Sequence, residues 1–139
     1  MAEDDLEDQF IMSDAFKEVG LDGNIEFVEN GEAVIEYLER HSNETPALIV
    51  LDLNMPLMNG TQTLRSLKQS SSFKKIPVII YSTSLNLIEM EECMRLGADS
   101  YTIKPNTFTE CKQIAERFYD FCCNKYLFPS IEEMMKNAK

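Results

Sequence analysis

Two short runs of this chain are apolar at every position. Ala47-Leu48-Ile49-Val50-Leu51 is one, and Pro77-Val78-Ile79-Ile80-Tyr81 is the other. A strand with one face in water alternates polar and apolar residues. A strand with no polar position must be covered on both faces. Between the two runs, Leu64 and Leu67 recur at the spacing of a helix packed on one side. Parallel strands need such a crossover, and right-handed crossovers place helices on both faces of a sheet. These runs therefore commit the chain to an α/β fold. A length of 139 residues suits one domain with a core of its own.

The same pattern extends in both directions. Leu6, Phe10, Ile11, Ala15, Phe16 and Val19 give a first helix its apolar side, and Gly20 ends it. Ile25 to Val28 reads as a short strand. Asn30 is placed to cap a helix carrying Ala33, Val34, Tyr37 and Leu38. Leu87, Ile88, Cys93, Met94 and Leu96 line a fourth helix, closed by Gly97. Tyr101-Thr102-Ile103 forms a last strand, and Phe108, Cys111, Ala115, Phe118 and Cys122 mark a last helix. This assigns residues 1–128 to the domain and residues 129–139 to a short C-terminal extension, with Ile131, Met134 and Met135 at helical spacing.

Charge excludes several roles. Thirteen Lys and Arg stand against 24 Asp and Glu, a net charge of −11. Nonspecific nucleic-acid binding and docking on anionic lipid both depend on cations, so neither is expected. No apolar run approaches the roughly 20 residues that span a bilayer. The start, Met1-Ala2-Glu3-Asp4-Asp5, is acidic where a secretion signal is basic, which points to a soluble, cytoplasmic protein. The four Cys lack metal-ligand spacing, and His41 is the one histidine, so no zinc site is expected. The cysteines read as reduced apolar residues on helices.

In an open parallel sheet, ligands sit beyond the carboxyl ends of the strands. The strand at 47–51 runs into Asp52, the one at 77–81 into Ser82 and Thr83, and the last into Lys104. Glu3, Asp4 and Asp5 stand before the first helix. Acids, a hydroxyl and a lysine thus meet on one rim from distant segments. Crowded carboxylates repel, and Mg²⁺, which prefers hard oxygen ligands, offsets that. A carboxylate can also be the nucleophile in phosphoryl transfer, with a lysine on a phosphoryl oxygen. These residues suit phosphoryl transfer onto an aspartate, and equally a plain metal site.

Four segments narrow the choice. Glu3-Asp4, then Leu-Asp-Leu-Asn-Met-Pro-Leu-Met-Asn-Gly at 51–60, then Tyr-Ser-Thr-Ser at 81–84, then Gly-Ala-Asp-Ser-Tyr-Thr-Ile-Lys-Pro at 97–105 occur in that order. Together they closely resemble the receiver domain of two-component response regulators, the CheY-like family. The resemblance covers about residues 1 to 125. It implies a three-layer, flavodoxin-like fold whose parallel five-stranded sheet has the order 2-1-3-4-5. The strand expected before Glu3 is truncated to Met1 and Ala2.

Carried over by position, the resemblance implies that Asp52 is the phosphoacceptor. Mg²⁺ would be held by Asp4, Asp52 and the backbone carbonyl of Asn54, with Glu3 acting through water. Lys104 would pair with the phosphoryl group, and the Lys104–Pro105 peptide would be cis. Ser82 and Tyr101 would form the switch, the ring turning inward as the hydroxyl moves. Pro56 and Gly60 would shape the loop behind the acceptor. Asn54 and Ser84 would flank the path of attacking water. The implied donor is a sensor histidine kinase or a histidine phosphotransfer protein, and the implied output is a downstream protein target. A weak homodimer is compatible with this. The domain would phosphorylate itself and would not be a turnover enzyme. A phosphorylation-independent binding module on the same fold is the alternative. An aspartate-nucleophile phosphatase fits less well, because Asn54 stands where those enzymes carry a second acid. Asp5 reads as an aid to the first helix's N-terminus, and Glu7 and Asp8 as its solvated face.

Overall fold

Burial along the strands sets the architecture. The computed structural model describes residues 1–83 and 85–124. Strands β1 (Ile49–Leu51), β2 (Val78–Ser82) and β3 (Ser100–Ile103) pair in parallel in the order β1-β2-β3. Every residue of β1 and β2 is buried, as their unbroken apolar runs require. Five helices connect and flank them: α1 (Leu6–Glu18), α2 (Gly31–Arg40), α3 (Gly60–Gln69), α4 (Leu87–Leu96) and α5 (Phe108–Asn124).

The pleat of β2 divides the core in two. Val78 and Ile80 join Leu38, Leu64, Leu67 and Met90 beneath α2, α3 and α4. Ile79 and Tyr81 face the other way, onto Met12, Phe16, Ala115 and Phe118 of α1 and α5. A sheet with apolar clusters on both faces is the expected three-layer arrangement.

The first two expected strands are each reduced to one residue. Ala2 makes single parallel bridges to Val28 and to Leu51. The spatial order Val28, Ala2, β1, β2, β3 therefore reproduces 2-1-3-4-5 with a truncated first strand. Ile25 to Val28 is not the strand its composition suggested: of these four residues only Val28 makes a bridge, to Ala2. Four hydrogen bonds hold this junction: Ala2 N–H to the Val50 carbonyl at 2.8 Å, Glu3 N–H to Val28 at 2.9 Å, Val28 N–H to Met1 at 3.0 Å and Asp52 N–H to Ala2 at 3.1 Å. Below the junction, at the amino ends of the strands, lies an apolar cavity of about 150 Å³ lined by Ala2, Phe16, Val28, Leu38, Leu48 and Phe118.

Helix ends follow local chemistry. Asp5, Asn30, Asn59 and Asn86 cap α1, α2, α3 and α4 by accepting N–H bonds of the first turn. Gly97 ends α4 in the left-handed region at φ 103°. Helix faces are less local. On α1 the core takes Met12, Ala15 and Phe16, while Leu6, Phe10 and Ile11, expected to be inside, are exposed. On α4 it takes Met90 and Cys93 and leaves Ile88 exposed. Cys93 and Cys111 are buried free thiols, as expected. Ser84 and the 129–139 extension, including Ile131, Met134 and Met135, lie outside the described residues. Among the described residues no helix is long and apolar enough to cross a membrane.

Candidate functional site

Asp52 follows the last residue of β1 and is 5% exposed. Its backbone N–H is held by Ala2, and its Oδ1 accepts the Asn54 N–H at 3.2 Å. That bond turns the chain sharply into the loop before α3. At Leu57 the loop enters the left-handed region (φ 65°), which a bulky side chain disfavours, and Met58 N–H bonds back to the Pro56 carbonyl at 2.7 Å. Gly60 closes the loop. Any Cβ there would overlap the Asp52 carbonyl oxygen, so the backbone behind Asp52 requires glycine.

Glu3 enters from the other side of Ala2 and is fully buried. Its Oε1 accepts the Asp5 N–H at 3.1 Å, and its Oε2 accepts the Lys104 ammonium at 2.6 Å. Asp4, next along, is exposed. Oxygens of Glu3, Asp4 and Asp52 all lie within 4.8 Å of one another, a cluster of hard donors of the kind a divalent cation takes.

Lys104 follows β3, its backbone N–H on the Ser82 carbonyl at 2.7 Å. The ammonium bonds Glu3 Oε2, Asp8 Oδ2 at 3.1 Å and Asp52 Oδ2 at 3.2 Å, and lies 5.6 Å from the centre of the Tyr81 ring. Burial disfavours its charge, but the hydrogen bond it donates to Glu3 and the charge of Asp52 outweigh this and hold its pKa above the ordinary lysine value. Burial raises the Glu3 carboxyl to about 7, against the opposing hydrogen bond from Lys104; the Asp52 charge adds to the rise. Burial likewise pushes the Tyr81 phenol well above its usual value.

The structure brings together Glu3, Asp4, Asp52 and Lys104, the set expected from the sequence. Ser82 ends β2 on the same rim and is 2% exposed. Tyr101, on β3, is fully buried, so the ring lies inward. Burial raises its pKa, and hydrogen bonds with the Ser82 side chain and the Asn86 backbone oppose that rise. Two expectations are corrected. The Lys104–Pro105 peptide is trans, the ordinary preference of an X–Pro bond. Asp8 is not a merely solvated residue: the first turn of α1 carries it across the rim to Lys104. Sequence spacing gave no signal for that contact, which depends on how α1 crosses the sheet.

Residues 1–116 match the family model of the response regulator receiver domain. The chain belongs to that family: it is a receiver domain of two-component response regulators, a phosphoacceptor signalling domain. It is similar to the probable methanogenesis regulatory protein FilR2 of Methanothrix harundinacea, 28% identical over 124 residues that take in 87% of this chain and 80% of that protein. It spans less than half the length of the Arabidopsis thaliana two-component response regulators it also matches. Among solved structures, the phosphorylated cyanobacterial phytochrome response regulator RcpA superposes with a TM-score of 0.78 at 27% identity, over 93% of this chain and 95% of that one. The Mn²⁺-bound form of Rcp1, a Synechocystis response regulator, gives 0.75 at 25% identity, over 93% and 96%.

Proposed function

We propose that Asp52 is the phosphoacceptor and that a divalent cation, Mg²⁺, is held beside it by Asp4, Asp52 and the Asn54 carbonyl, with Glu3 acting through water. The observation that carries this is the position of one buried carboxylate. Asp52 lies 3.2 Å from the Lys104 ammonium and within 4.8 Å of the Glu3 and Asp4 carboxylates. An all-oxygen donor set suits Mg²⁺, and the solved structure of Rcp1 is described as Mn²⁺-bound. When bound, the cation neutralises charge on the phosphoryl oxygens.

The chain's own residues do the rest. An Asp52 carboxylate oxygen forms the new O–P bond as the P–N bond to the donor's phosphohistidine breaks, and the imidazole nitrogen keeps the electron pair. Lys104 donates to a phosphoryl oxygen in place of its bond to Asp52. The product is an acyl phosphate, and the domain modifies itself without turning over a substrate. The donor is a sensor histidine kinase or a histidine phosphotransfer protein. Ser82 and Tyr101, hydrogen-bonded to each other in this structure, couple the new charge of about −1.5 to −2 to the surface of α4, β3 and α5, where a downstream protein reads it.

Incubation with acetyl phosphate and Mg²⁺ should add the mass of one phosphoryl group, lost on hydroxylamine treatment and absent in Asp52→Asn. No gain, or a gain that persists in Asp52→Asn, overturns the assignment.

A further inference from the structure

A lysine ammonium has three hydrogens. At Lys104 three carboxylates take them: Glu3 Oε2 at 2.6 Å, Asp8 Oδ2 at 3.1 Å and Asp52 Oδ2 at 3.2 Å. Glu3 and Asp52 belong to the acidic cluster. Asp8 does not: it stands on α1, outside the group whose oxygens converge for a cation. Its side chain is 40% exposed, so its ion pair adds little to stability. Its value must lie in where it holds the ammonium.

We propose that Asp8 is a positioning residue for phosphoryl transfer, which with Glu3 fixes the Lys104 ammonium so that its third hydrogen is aimed at Asp52. The inference rests on Asp52 being the acceptor. The backbone of Lys104 is fixed by its bond to Ser82, but a lysine stem has four rotatable bonds beyond that point. One bond to Glu3 leaves the ammonium free to turn about that axis. A second, to Asp8 from the α1 side, removes that freedom, and the Tyr81 ring closes the remaining side at 5.6 Å. Only the direction toward Asp52 is left. When the Asp52 oxygen becomes bonded to phosphorus, the bond to Asp52 is the one that passes to a phosphoryl oxygen. The bonds to Glu3 and Asp8 stay and keep the cation in place through the reaction.

Two readouts test this on the whole chain. One is the rate of phosphorylation by acetyl phosphate at saturating Mg²⁺. The other is the ¹⁵N–¹H signal of the Lys104 ammonium, slowed in exchange by its carboxylate partners and assigned by its loss in Lys104→Arg. Asp8→Ala should lower the rate about tenfold and shift or broaden the ammonium signal, with amide spectra otherwise unchanged. Asp8→Glu should recover most of both. Glu7→Ala, which removes an exposed acid from the same helical turn, should change neither. The proposal is overturned if Asp8→Ala keeps its rate within twofold or leaves the ammonium signal unmoved. It is also overturned if Asp8→Glu is no better than Ala, or if Glu7→Ala is as slow. The ammonium signal needs no phosphoryl donor. A wild type that takes no phosphoryl group overturns the acceptor assignment, while an unmoved signal in Asp8→Ala overturns the role of Asp8 alone.

Discussion

The two sides of the sheet are built very differently. On one side β1, β2 and β3 form a continuous ladder of seven paired positions, from Ile49–Val78 to Ser82–Ile103. On the other, Ala2 alone joins Val28 to Leu51, with an apolar cavity of about 150 Å³ beneath it. Asp52 and Lys104 sit on the laddered side. Glu3 and Asp4 sit on the bridged side. The site therefore joins a laddered half, carrying Asp52 and Lys104, to a half held by single bridges, carrying Glu3 and Asp4. Ligand-binding segments commonly come from the less stable part of a fold.

The largest effect should come from truncating a core side chain of the laddered side. Ile80 is fully buried at its centre, so Ile80→Ala should cost about 3–4 kcal/mol. Val28, at the bridged edge and partly buried, should cost about 1 kcal/mol as Val28→Ala. Equal losses in urea unfolding would show that the two sides carry equal weight.

Next comes pH. In Mg²⁺-free protein the folded Glu3 carboxyl titrates near 7, against an ordinary 4.5. The folded state then binds more protons than the unfolded chain between those values. The contribution of Glu3 to stability is greatest below the lower value, falls by up to about 3 kcal/mol as pH rises through 7, and levels off above it. Glu3→Gln should flatten that fall, read as the melting temperature against pH. An unchanged slope would place the titrating group elsewhere.

Hydrogen exchange should separate the halves directly. The Glu3 and Val28 amides, bonded across the single bridge, should exchange at least about tenfold faster than Ile80. Matching rates would mean that Ala2 opens only with the whole domain.

The effect of the cation is small beside that of the core. At about ten times its dissociation constant, Mg²⁺ should stabilise the fold by about 1.4 kcal/mol. It should also slow exchange at Glu3 more than at Ile80. Equal slowing at both would show that the cation does not act through the bridged side.

What the sequence revealed follows the same division. The runs at 47–51 and 77–81 were legible because a strand covered on both faces leaves no polar position. The caps at Asn30 and Gly97 were legible because capping is settled within one turn. Asp52 and Lys104 were legible because each follows directly from a strand. Three features were not. Ile25 to Val28 has a strand's composition, yet a strand needs a paired run beside it, and here Val28 alone makes a bridge. Leu6, Phe10 and Ile88 are apolar at helical spacing, yet which stripe of a helix is buried depends on how it crosses the sheet. Asp8 looked like any acid in a first turn, and only the path of α1 brings it to Lys104.

The inward ring of Tyr101 has an optical consequence. The chain has no tryptophan and five tyrosines, so its near-ultraviolet signal carries no indole background. One of those phenols is fully buried in β3 and hydrogen-bonded to the side chain of Ser82, the hydroxyl on the same rim as Asp52. A rearrangement at Ser82 changes the polarity and the bonding of that phenol together. Under the switch role proposed for Ser82 and Tyr101, that phenol is a native, label-free reporter, readable by ultraviolet difference absorption or near-ultraviolet circular dichroism.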